Sequence, residues 1–282
     1  MTADRPPLPD FDSPPVSEVA LTVFFEPLNQ LQTAHIGLLW QEFRARFPRV
    51  EDQPPLPPVI ESFGVPSTFN LGIQIHVTAS PGIPRSLFVD DQGAELIQFQ
   101  NDRISHNWRR IVPASDLAPG PVDYPRYGQL RESFSRELDV LAAFLAREEL
   151  GELNPIQCEI TYVNEVAPIS EDVGDILSIW SSADVDPLLR HPERLNLAVS
   201  YVIPDAVEKP LGRLHLETQK VIRRSDRKVV FLLTVTARGK PDGVGLDGVF
   251  RFLDLGHEWA VRGFTAVTSP ALHSLWGRSD VS

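Results

Sequence analysis

The sequence predicts an α+β fold: two βα(β)nα pseudo-repeats, with antiparallel sheets packed against long helices. Three observations support this. Strand-like segments come in runs, not in the strict strand–helix alternation of a parallel sheet. A long amphipathic stretch closes each half of the chain. The strands that open the halves, "VSEVALTVFFEPL" and "NPIQCEITYVNEV", resemble each other: both follow or contain an early proline and carry a Glu near each end. The expected organisation is a proline-rich leader over 1–15, an N-terminal half over 16–151 and a C-terminal half over 152–282, forming one compact unit.

The first strand places Val19, Leu21, Val23 and Phe25 on one face and ends at Pro27. Ile36, Leu39, Trp40, Phe43 and Phe47 then recur at helical spacing, with Thr33 as the expected cap and Pro48 as the stop. The crossover "EDQPPLPPVIESFG" favours polyproline II. It is either a ligand for an aromatic groove on another protein or, the favoured reading, an extended connector along the domain edge. "TFNLGIQIHVT" and "RSLFV" read as strands.

The stretch "ELIQFQNDRISHNWRRI" contains a change of phase. Ile97 and Phe99 are odd-numbered, whereas Ile104 and Trp108 are even. One straight strand cannot keep them on a single face. A two-residue turn at Asn101-Asp102 resolves the conflict by pairing Gln100 with Arg103, Phe99 with Ile104 and Ile97 with His106; a bulge is the competing account. Either way Ile97, Phe99, Ile104, His106 and Trp108 share the core face. Gln98, Gln100, Arg103, Ser105, Asn107 and Arg109 form a face expected to be wet.

Leu130, Phe134, Leu138, Leu141 and Leu145 make the apolar stripe of the first long helix, with Gly151 as its left-handed end. In the second half "EDVGDILSIW" reads as a short helix, followed by strands at "RLNLAVSYVIP", "GRLHLETQKVIRR" and "KVVFLLTVTARG". Val249, Leu253, His257, Ala260 and Phe264 line the second long helix. A last short helix has Ser269 as cap, Pro270 at its first position and Gly277 at its end.

Composition narrows function. The chain has 282 residues, with 38 acidic against 26 basic side chains and a formal charge of −12. Such a balance repels a phosphate backbone, so nucleic-acid binding is disfavoured. A single cysteine, Cys158, allows no intrachain disulfide and suits a reducing compartment. No signal peptide or run of ~20 apolar residues is visible, so a cytoplasmic protein without a membrane anchor is expected.

No chemistry announces itself. "GVGLDG" matches G-x-G-x-x-G, but the strand before it belongs to a meander, no acid ends a strand about 20 residues on, and Asp247 would oppose phosphate. "HEWAV" lacks the second histidine of a zinc motif. The reading therefore implies no cofactor, no metal and no catalytic residue. Candidate binding residues are the polar face of the hairpin (Gln98, Gln100, Arg103, Asn107, Arg109) together with a second group. In the second group Glu159, Tyr162 and Asn164 share one strand, Arg213 and Arg238 reach Glu159 from its neighbours, and His257 lies on the long helix. These form either a structural ion-pair network or a ligand surface.

At "FEPL", "QPPLPPVIE", "NWRR", "YPRY", "CEITYVN", "GRL", "LGHEWAVRGF" and "LWGR" the chain resembles a sporadically distributed family of bacterial proteins of similar length. The resemblance runs over nearly the whole chain. Its shared positions include Trp108, Tyr124, Arg126, Tyr127 and Trp276 besides most of the candidates above. The family brings no established reaction; its patchy distribution implies accessory, mobile-element or defence genes. The leading expectation is a non-enzymatic protein that binds a partner protein. The alternative is a small-molecule binder or hydrolase with a pocket between sheet and long helix, a helix-grip-like arrangement. Nucleic-acid binding on a sheet face ranks third.

Overall fold

A computed structural model of the chain describes residues 6–64, 83–111, 123–170, 172–180, 192–223 and 226–280. Its elements run β1 (Pro9–Phe11), β2 (Val16–Phe25), α1 (Thr33–Phe43), β3 (Arg49–Gln53), β4 (Arg85–Val89), β5 (Glu95–Gln100), β6 (Arg103–Arg109) and α2 (Arg126–Arg147). There follow β7 (Pro155–Val166), β8 (Asn196–Pro204), β9 (Pro210–Ile222), β10 (Val229–Gly239), α3 (Gly245–Val267), α4 (Pro270–Leu275) and β11 (Arg278–Asp280). The architecture is α+β. Among the described residues nine strands form one antiparallel sheet in the order β3-β4-β5-β6-β2-β7-β10-β9-β8, and β1 pairs with β11 in a separate ribbon.

The alternation of β2 sets the two faces of the sheet. Val19, Leu21, Val23 and Phe25 are fully buried beneath the helices. Register carries that face onto Ile160 and Tyr162 of β7, and from there onto Ala237 and Val235 of β10. Helix α2 seats its stripe of Leu130, Phe134, Leu138, Leu141 and Leu145 in this core. Helix α3 approaches the sheet closely because it has glycines where it crosses. A Cβ on Gly256 would lie 3.0 Å from Ile160, and one on Gly263 only 2.6 Å from Leu214.

The hairpin has the expected register, Gln100 opposite Arg103, Phe99 opposite Ile104 and Ile97 opposite His106. Ser269 caps α4, with Pro270 at its first position, as expected. Other expectations need correction. Gln32, not Thr33, caps α1: its backbone N–H donates to His35 Nδ1 at 2.9 Å. Arg49–Gln53 is an edge strand; its residues are all exposed, so no apolar alternation marks it. Helix α2 ends through Glu149 in the left-handed region (φ 55°), two residues before Gly151, as Leu150 N–H donates back to Leu145 C=O. Within "EDVGDILSIW" the described residues form only one 3-10 turn, Val173–Asp175, because Leu177 is drawn into a bridge with Thr268. Within the leader, Pro9–Phe11 pairs with Arg278–Asp280. The strand read at "TFNLGIQIHVT" lies outside the described residues.

The glycines of "GVGLDG" serve the loop itself. Gly243 and Gly245 hold positive φ (115° and 63°), Asp242 N–H donates to Gly248 C=O, and Arg251 donates to Asp242 C=O. The preceding strand, β10, lies between antiparallel neighbours, so the βαβ context of a dinucleotide site is not formed.

Candidate functional site

On β7, successive side chains leave opposite faces of the sheet. Tyr162 and Asn164 therefore point to the helix side, whereas Glu159 points away with Arg238, its partner in register. The single cluster expected from "CEITYVNE" is thus two sites, split by the period of the strand.

The helix-side site is a cleft of about 410 Å³. Its floor is Tyr162 and Asn164, and one wall is the face of α3 bearing His257, Ala260, Val261 and Phe264. Tyr124, just before α2, and Arg126 and Tyr127 in its first turn form the opposite wall, and Pro9–Phe11 of β1 closes an end. Most of the lining is apolar, and the polar groups converge. The Tyr162 hydroxyl lies 2.7 Å from His257 Nδ1, and the Tyr124 ring lines the same space. The Tyr127 ring stacks on His257 at 4.1 Å, and its hydroxyl donates to Asp254, which receives the Arg131 guanidinium at 2.7 and 3.0 Å. Asn164 Nδ2 donates to Leu233 C=O.

Arg126 enters α2 at φ 66°, a conformation a non-glycine residue holds only when its surroundings enforce it. Its guanidinium donates to Asp10 Oδ1 and Phe11 C=O, each at 3.0 Å, and lies over the Tyr124 ring. The same residue that lines the cleft pins β1 across its end. Phe11 in turn packs edge-on against Phe264 and Trp276.

Burial keeps the titratable rings of this site uncharged. It pushes the Tyr124 phenol up to about 12 and raises Tyr127 and Tyr162 as well. It pushes His257 down to about 4, against the opposing pull of Asp254, Glu258 and Asp10. At neutral pH the cleft therefore offers a neutral imidazole and three phenols. The folded-state value of His257 lies below its unfolded 6.5, so the unfolded chain takes up the proton first. Stability from this residue is intact above pH 6.5 and is lost as pH falls towards 4, by on the order of 3 kcal/mol. Thermal unfolding between pH 4.5 and 7 should show that slope, and His257→Gln should flatten it. An unchanged slope would mean that His257 is not held neutral.

The opposite face carries the remaining candidates. It was expected to be wet, but Gln100, Arg103 and Asn107 are buried, at 3%, 8% and 3% exposure. Part of the reason is the proline-rich segment, which lies over this face and not along an edge. Gln100 accepts from Leu56 N–H and donates to Leu56 C=O, and Arg103 donates to the same carbonyl. Asn107 is instead enclosed by its neighbours: it donates to Glu18 and accepts from Gln98, which accepts from Arg85. Arg109 stays exposed and donates to Gly93 C=O. Arg238 pairs with Glu159, whereas Arg213 pairs with Glu61 of the proline-rich segment. Glu61 has no counterpart among the expected residues; an acid at the end of a proline run was the only signal for it.

A third group is buried under α2. His106 Nδ1 lies 2.9 and 3.0 Å from the two Glu137 oxygens, with Arg46 and Glu95 at the rim. Cys158 is buried as expected, and burial raises its thiol pKa. Among the described residues no group of three or more His, Cys, Asp or Glu could hold a metal ion, and no helix is long and apolar enough to cross a membrane. No family model, curated protein or solved structure matches the chain.

Proposed function

We propose that the protein is a non-enzymatic binding protein whose cleft between β7, α2 and α3 holds a small, uncharged, largely apolar ligand. The carrying observation is the cleft itself: about 410 Å³, lined mainly by apolar side chains, with Tyr162 on its floor and Tyr124 and His257 on its walls. A ligand with a ring or aliphatic body and one hydroxyl, carbonyl or amide group fits that lining. A charged ligand does not, since no free ionic partner faces it and desolvating a charge is costly. Of the readings the sequence left open, this supports the pocket between sheet and long helix over a partner-protein surface at the same place. The opposite face gives less support to nucleic-acid binding, because Arg213 and Arg238 are each engaged by a carboxylate of the chain.

Thermal unfolding against a set of neutral ring compounds tests this. Ligands in excess should raise the Tm of the native protein. Ala260→Trp, which fills the cleft from α3, should fold and lose the shift. Equal shifts in both proteins would place binding elsewhere.

We also infer that the halves are pseudo-repeats. In support, β2 lies beside β6 at the end of the first meander, β7 lies beside β10 at the end of the second, and β2 and β7 pair at the centre. Superposing β2-β6-β5-β4 with α2 on β7-β10-β9-β8 with α3 should bring the helices into register; failure to overlay would refute it. A cytoplasmic setting fits the single buried thiol.

A further inference from the structure

The proline-rich segment 54–64 is attached to the sheet in an unusual way. Among the described residues no backbone–backbone hydrogen bond ties it down. Side-chain amides hold it instead. Gln100 on β5 brackets Leu56, accepting from its N–H and donating to its C=O, each at 2.9 Å. Gln157 on β7 does the same one step on, accepting from Glu61 N–H at 2.8 Å and donating to Val59 C=O at 2.7 Å. Three strand spacings separate β5 from β7, about 14 Å. Five residues of polyproline II reach about 15 Å. The prolines give the segment the length to cross and leave its backbone polar groups free for the glutamines.

The crossing ends in a charged seat. The Glu61 carboxylate is 7% exposed and takes an ion pair from Arg213. His215 Nε2–H donates to it at 2.6 Å, and Arg238 lies 3.5 Å away. Ser200 on β8 lies 2.9 Å from the other ring nitrogen of His215. Arg213 also lies over the Phe63 ring. Burial alone would raise the Glu61 carboxyl, but the hydrogen bonds from His215 and Arg213 outweigh it and hold it below the usual carboxylate range. Yet Leu56, Val59 and Ile60 of the same segment are about half exposed. The segment is therefore held by backbone brackets and one carboxylate, with little apolar burial of its own side chains.

We propose that this sheet face is a peptide-binding site, filled in the resting protein by residues 54–64, and that its occupant in function is an extended proline-rich segment of a partner protein carrying one carboxylate. The glutamine brackets read backbone and are indifferent to side chains. Arg213, His215 and Arg238 read the carboxylate, with Arg238 shared by Glu159. The internal segment competes at the high effective concentration of a tethered ligand. A partner gains access when the Glu61 contact is lost.

The test uses the full chain and a fluorescent peptide with the sequence of residues 53–64, QPPLPPVIESFG. Glu61→Gln should bind this peptide at least tenfold more tightly than the native protein does. The same peptide with its Glu replaced by Gln should bind at least tenfold more weakly, and adding Arg213→Met to Glu61→Gln should abolish binding. If Glu61→Gln does not fold, Pro57→Gly with Pro58→Gly loosens the tether without touching the receptor, and the same gain is expected. No gain in either variant, or equal binding of the Glu and Gln peptides, overturns the proposal. Competition by N-acetylglutamate at concentrations equal to those of the peptide would also overturn it, by showing a site for small carboxylates.

Discussion

Gly239→Ala is expected to destabilise the protein by about 3 kcal/mol and to lower its Tm by roughly 6–12 °C. Gly239 on β10 sits opposite Gly212 on β9, and the Phe252 ring of α3 lies across the pair. A Cβ on Gly239 would come within 2.5 Å of both the Leu211 carbonyl oxygen and the Phe252 ring, and within 2.6 Å of Gly212 Cα. Two of those three neighbours are backbone and cannot yield. The ring would be driven off the sheet, and α3 with it. Because α3 carries His257, Ala260 and Phe264, the cleft should loosen along with the fold. Combining the change with Phe252→Leu should recover part of the loss, and the recovery measures the steric coupling. An alanine variant as stable as the native protein would show that α3 does not sit this close.

Glu137→Ala is expected to cost about 3 kcal/mol, read as a lower urea midpoint at unchanged slope. His106 is 1% exposed and Glu137 is 4% exposed, so neither is solvated by bulk water. Glu137 partners His106 Nδ1, whereas among the described residues His106 Nε2 makes no hydrogen bond and has Glu95 at 3.7 Å. Removing Glu137 strands the ring inside the core beneath α2, leaving polar atoms unpaired. Replacing both partners with apolar residues of similar size, His106→Phe with Glu137→Leu, should be less damaging than the single change, because no polar group is then left behind. A double variant worse than the single one would contradict this account.

The hairpin was legible because Ile97, Phe99, Ile104 and Trp108 could not share a face without a turn at Asn101-Asp102. The stripe of α2 was legible for a similar reason, the 3.6-residue period. Strand β3 was not, since an edge strand exposed throughout carries no apolar alternation. The site was legible in pieces. Tyr162, Asn164 and His257 stand out in the sequence, but their meeting with Tyr124 and Tyr127 depends on β7 lying beneath α3 and near the start of α2, which no local pattern encodes. Strand parity separates Glu159 from Tyr162, three positions apart, and grouping them overlooked it. The prolines of 54–58 announced an extended segment; nothing in them said which face it would cross or where Glu61 would land.

The cleft is best tested through its tyrosines. The chain has four, and three of them, Tyr124, Tyr127 and Tyr162, line the cleft, whereas Tyr201 stands on β8 outside it. Protein labelled with 3-fluorotyrosine should give four ¹⁹F resonances. Titration with a neutral ring compound that raises the Tm should shift the three cleft resonances together and leave that of Tyr201 in place. Shifts confined to Tyr201, or none at saturating ligand, would contradict the assignment of the cleft as the binding site.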